Sequence, residues 1–146
     1  NYIISIFNPW LQSKLSHEHT FPIQSFLKKF LFPLIVTVTV FYVVLGRTVI
    51  KLIGSEEFIS SYEPMLILLL GYICYLLTFW IRQYLLFNKL IKFHTYGKIL
   101  YSFTFILLSF LLGSSYGFNG IALSLSISMI LQKIFEYVIY KNKLAQ

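Results

Sequence analysis

The sequence predicts an all-α, polytopic membrane protein with four transmembrane helices and both termini cytoplasmic. Three observations lead there. Of the 146 residues, 58% are hydrophobic and 12% are charged, against roughly 45–50% and 25% in an ordinary soluble domain. A soluble fold of this size would be left with sticky apolar surface, so lipid is the better solvent. The apolar residues also fall into four runs, each near the length of about 20 residues that a helix needs to cross a bilayer. Finally, lysine and arginine gather in alternate intervals between those runs, which is the pattern that orients a membrane protein.

In chain order, residues 1–29 read as the end of a preceding segment followed by a cytoplasmic loop. The chain opens at Asn1, its methionines are Met65 and Met129, and "NYIISIFNPW" lacks the basic start and small-residue cleavage site of a signal peptide. An excerpt of a longer protein, without its N-terminal part, is expected. The transmembrane region covers residues 30–143, and 144–146 form a short cytoplasmic tail. The first span, "FLFPLIVTVTVFYVVLGRTVI", covers about 30–50, with Pro33 suited to a first turn. The second covers about 64–86. Pro64 opens it where a missing N–H costs nothing, and Glu63 faces the positive end of the helix dipole. The third, "KILYSFTFILLSFLLG", covers 98–113, and Gly113 and Gly117 break the chain before the fourth, at 119–140. Backbone groups in lipid must be satisfied within the segment, and these continuous runs lack the alternation of barrel strands, so helices are expected.

Orientation follows from the cations. Lys14, Lys28 and Lys29 precede the first span; Arg82, Lys89, Lys92 and Lys98 separate the second from the third; Lys141 and Lys143 follow the fourth. Those nine lie on one side, and only Arg47 and Lys51 lie on the other. The positive-inside rule places the nine in the cytoplasm. Glu56, Glu57 and Glu63, three of the five acidic residues, then occupy the external loop between the first two spans. Tyrosines and tryptophan near the span ends, such as Tyr62, Trp80, Tyr84 and Tyr140, suit an interfacial belt.

No catalytic or cofactor-binding motif appears: there is no glycine-rich phosphate loop, no cysteine pair and no nucleophile elbow. His17 and His19 flank Glu18 in "SHEHT", but imidazoles two apart do not share a helix face, so a solvated loop is expected and no metal site. The single Cys74 reads as an apolar filler in a helix. Ionisable groups inside a span are the default candidates for function. Lys133 and Glu136, three apart in "ILQKIFEYVIY", share one helical face. They read either as a charge pair lining a substrate pathway or as a self-neutralising pair whose lysine snorkels to the inner interface. Arg82 at the inner end of the second span, and Arg47 at the outer end of the first, are further pathway candidates beside their ordinary role as anchors. Gly120, Ala122, Ser124, Ser126 and Ser128 form a run of small residues that permits close helix approach, with a polar lining as the alternative.

Taken together, the segments resemble a known family. "FNPWLQSKL" leads into a cytoplasmic loop; "VIKLIGSEEFISSYEPMLILLL" joins an apolar pair, a glycine and an acidic turn to an apolar helix; "NKLIKFHTYGK" is a short basic linker; "SSYGFNGIALSLSIS" opens a late helix. In this order, from about Phe7 to Lys143, they resemble the C-terminal helices of polysaccharide flippases, the transporters of O-antigen and related lipid-linked oligosaccharides within the multidrug/oligosaccharidyl-lipid/polysaccharide exporter superfamily. The resemblance implies a non-enzymatic transporter of the cytoplasmic membrane, working by alternating access between two helical lobes. This chain would form part of one lobe of that larger helical transporter. Its partners would be the bilayer, the lipid-linked oligosaccharide and the remaining helices of the transporter. The family's charged cavity residues lie largely in helices outside this chain, so none is carried over. A stand-alone four-helix scaffold or assembly subunit, and an exporter of another substrate in the same superfamily, are the alternatives. A membrane-embedded transferase would need acid/base groups that the external glutamates alone do not offer. Nucleic-acid binding is not expected, because the basic residues are juxtamembrane anchors.

Overall fold

The computed structural model describes residues 27–54 and 56–144, and every regular element among them is helical. A π-helical turn, Leu27–Leu31, leads into α1, Phe32–Ile53. Val36 to Val44 is rich in β-branched residues, which lower helix propensity in water. In lipid the alternative is an unsatisfied backbone, so the helix persists. Pro33 lies in its first turn, where it removes no intrahelical bond. A 3-10 turn, Glu56–Ser61, connects to α2, Tyr62–Phe87, which starts one residue before Glu63 and so keeps that carboxylate in its first turn.

α2 ends in a tight reversal and not in a long basic linker. Leu90 N–H donates to Leu85 O at 2.8 Å and Lys89 N–H to Leu86 O at 3.2 Å, with Lys89 at φ 55°. This is the bond pattern of a Schellman cap, with lysine where glycine is usual. The next helix, α3, Ile91–Leu144, therefore begins at Ile91 and not at Lys98. Most of "NKLIKFHTYGK" is thus helical, and His94 falls in the first turn.

As a straight rod α3 would run about 80 Å at 1.5 Å per residue, far beyond a hydrocarbon core of about 30 Å. It is not straight. Gly117 adopts φ 55°, ψ −132°, a conformation that L side chains avoid, while Gly113 stays helical. The chain doubles back there, into an arm of residues 91–116 and an arm of residues 118–144. Gly120 lies so close to Leu112 that a Cβ would overlap its carbonyl. At the far end of the hairpin His94 meets Glu136.

Side-chain contacts give the remaining directions. Tyr62 donates its hydroxyl to Val43 O at 2.9 Å, and Leu31, Ile35 and Phe79 pack together, so α1 runs antiparallel to α2. The second arm of α3 runs parallel to α2. Asn119 donates to Glu63 at 3.3 Å and Ser126 to Ile67 O at 2.7 Å. Tyr140 sets its ring edge-on to Trp80 and Tyr84, with centroids 4.8 and 4.7 Å away. One end of the bundle thus holds Glu56, Glu63 and the Gly117 reversal, and the other holds the Asn88–Leu90 turn and Lys141.

The distribution of polarity is the reverse of a soluble fold. Phe103, Ile106 and Phe110 are 67%, 68% and 84% exposed, whereas Ser124, Ser128 and Glu136 are fully buried. Three helical stretches, Lys29–Ile53, Phe58–Leu86 and Ile91–Asn142, are long and apolar enough to cross a membrane. Apolar outside and polar within is what lipid as solvent selects. This is a membrane protein.

Candidate functional site

The second arm of α3 is the central helix, covered on one side by the first arm and on another by α2, so its buried faces decide what the interior contains. Gly120, Ser124, Ser128, Gln132 and Glu136 recur every four residues and share one stripe. Gln132 and Glu136 on it lie within van der Waals range of where a Cβ at Gly97 would stand, on the first arm. Ser124 and Ser128 return their hydroxyls to Gly120 O and Ser124 O, each at 2.7 Å, which satisfies them without a partner helix. On the α2 side, Ser126 sits against Gly71, where a Cβ would come within 2.9 Å of Ser126 Cα. The small-residue run thus permits close approach on two faces at once.

At its basic end the stripe becomes charged. Lys133 Nζ lies 2.7 Å from Glu136 Oε2, with the side chains 1% and 0% exposed. Gln132 Nε2 donates to Oε1 at 2.7 Å, and His94 Nδ1 stands 2.9 Å from the same oxygen. The Lys133 ammonium also sits over the Tyr75 ring of α2, 4.6 Å from its centroid, a favourable cation–π placement. The lysine does not snorkel. Instead it is buried, and its charge is met inside the bundle by one carboxylate and one aromatic face. An ionised carboxylate accepts at both oxygens, and here three donors from the two arms of α3 converge on it. Breaking such a pair from one side leaves an uncompensated buried charge, worth about 3–5 kcal/mol.

The other two candidates lie elsewhere. Arg47 is at the opposite end, with its guanidinium 5.1 Å from the Tyr62 ring centroid. There it lines an open groove of about 820 Å³ together with Glu63, Tyr116 and Asn119. Arg82 is half-buried on α2, with Nε enclosed and unpaired among the described residues, and is not a hydrogen-bond partner of Glu136. The structure therefore unites Lys133 and Glu136 and leaves Arg47 and Arg82 apart from them. His17, Glu18 and His19 lie outside the described residues.

Sequence reasoning missed His94, Gln132 and Tyr75. The basic residues around His94 suggest a loop, which hides it in a linker. The signal that could have recovered it is Gly97, three residues on, which puts a close-approach surface beside the imidazole on one helical face. Tyr75 carries no local signal, being one aromatic inside an apolar run.

No family model, curated protein or solved structure matches this chain.

Proposed function

We propose that this chain is the C-terminal part of a membrane flippase that translocates lipid-linked oligosaccharide, O-antigen or other polysaccharide repeat units, across the cytoplasmic membrane by alternating access. The observation that supports it is the charge cluster of His94, Gln132, Lys133 and Glu136, held in the interior of helices whose outer faces are apolar. Charge is expensive at that depth and is ordinarily kept there for a pathway or a moving part. On this reading the two arms of α3 cross the membrane separately. The chain then makes four crossings with both termini cytoplasmic, and the nine clustered cations sit on the inner face.

The other helices of the transporter would cover α1, which presents Phe32, Val38, Val40, Phe41 and Val44 outward, each more than half exposed. A partner protein would cover them equally well, so a stand-alone scaffold or assembly subunit is the second reading. An exporter of a different substrate from the same superfamily fits the same features.

The test replaces Lys133 and Glu136 singly, together and as a charge swap in the full-length protein, and measures surface polysaccharide at matched membrane abundance in a host lacking the gene. The proposal expects loss in both single variants and recovery in the swap. Normal surface polysaccharide in every variant would leave the pair a structural element only.

A further inference from the structure

We infer that His94 is a proton-binding site, loaded at Nε2 from the aqueous phase at the Asn88–Leu90 end, and that it competes with Lys133 for the one carboxylate of Glu136. An ionised carboxylate only accepts hydrogen bonds, and Glu136 is held opposite Lys133 at 2.7 Å. His94 Nδ1, 2.9 Å from Oε1, consequently carries a hydrogen whether the ring is neutral or cationic. Nε2 is then the atom at which a proton comes and goes. Its ring is placed for that exchange: the His94 side chain keeps 14% exposure while that of Glu136 has none. It also belongs to the first turn of α3, beside the basic end of the bundle. Imidazole is the side chain whose ordinary titration falls near neutral pH.

The two cations sit on different oxygens of one carboxylate, so the charge count sets them against each other. With a neutral ring the cluster holds one cation and one anion. A proton on Nε2 adds a second cation with no second carboxylate beside it among the described residues. Among the described residues Glu56 and Glu63 are at the other end of the bundle, so no other carboxylate faces the cluster. The remaining titratable groups on α2 beside the cluster are Tyr75, under Lys133, and its chain neighbour Cys74. On the helix of His94, Lys92 and Lys98 are turned over Phe93 and Tyr101, at 5.3 and 5.6 Å from the ring centroids. Protonation strengthens the His94–Glu136 bond, because both partners are then charged. It correspondingly weakens the hold of Glu136 on Lys133, for which the Tyr75 ring is the remaining seat. A proton arriving at one end of the hairpin is in this way felt by α2. The site needs no transported substrate, so it stands or falls separately from the transport reading.

The experiment is ¹⁵N NMR of the histidine-labelled full-length protein in lipid nanodiscs between about pH 5 and pH 9, a window chosen to span imidazole titration. The His94 signal is assigned by its loss in His94→Asn. Nδ1 is expected to stay protonated at every pH while Nε2 titrates. Lys133→Met, which removes the competing cation, should raise the proton affinity of His94 about tenfold or more, and Glu136→Gln should lower it by a similar factor. A bare Nδ1 at high pH would overturn the proposal, as would a titration that Lys133→Met leaves in place. The tautomer is read in the unaltered protein, so the outcome does not hinge on either variant folding.

Discussion

The imidazole of His94 and the carboxylate of Glu136, separated by 42 positions in the chain, meet at 2.9 Å between the two arms of α3. That bond joins the open end of a hairpin whose closed end is Gly117. It also places a polar contact between the arms at the end opposite the Gly117 reversal.

The first consequence concerns the ion pair. Lys133→Met alone strands a buried carboxylate, and Glu136→Gln alone strands a buried ammonium, each at about 3–5 kcal/mol. The double variant strands neither and should be more stable than either single one. Thermal unfolding in matched detergent checks the order, and simple additivity of the two losses would contradict it.

Gly117 and Gly120 should fail for different reasons. Gly117 has open space around it but sits at φ 55°, so Gly117→Ala meets only backbone strain, about 1–3 kcal/mol. Gly120 has an ordinary backbone but no space, because a Cβ would overlap the Leu112 carbonyl. Gly120→Ala should then push the arms apart. Disulfide trapping between cysteines at Gly113 and Ile121, in a background lacking Cys74, should become slow in Gly120→Ala and stay fast in Gly117→Ala.

At the crossing of α2 with the second arm, a Cβ on Gly71 would stand 2.9 Å from Ser126 Cα. Gly71→Val therefore overpacks a helix–helix contact, at about 1–3 kcal/mol. Ser126→Ala removes only the bond to Ile67 O, about 0.5–1.5 kcal/mol. Unfolding measured side by side should rank Gly71→Val as the worse.

Orientation is tested by cysteines at Glu57 and Lys92 in the Cys74-free background. A membrane-impermeant reagent should label the first from outside intact cells and the second only after the membrane is opened. Labelling of Lys92→Cys from outside would invert the proposed topology.

The sequence by itself determined the solvent and the helices. Apolar runs of bilayer length leave the backbone no other way to satisfy itself, and that holds whatever the neighbours are. Local spacing also put Lys133 and Glu136 on one face. Helix limits were less legible. Lys89 takes a left-handed conformation that a glycine would have announced, so the turn at Asn88–Leu90 blends into a longer linker in the sequence and hides His94 there. The state of the Lys133 ammonium could not be decided locally at all. A lone helix would let it snorkel; here Tyr75 of α2 lies under it, and Glu136, itself bonded to His94 of the first arm, holds it inside. Burial is a property of what stands on the other side of a face: Tyr75 is 58 positions from Lys133, and His94 is 42 from Glu136. Only the reversal at Gly117 and the parallel run of α2 bring them there.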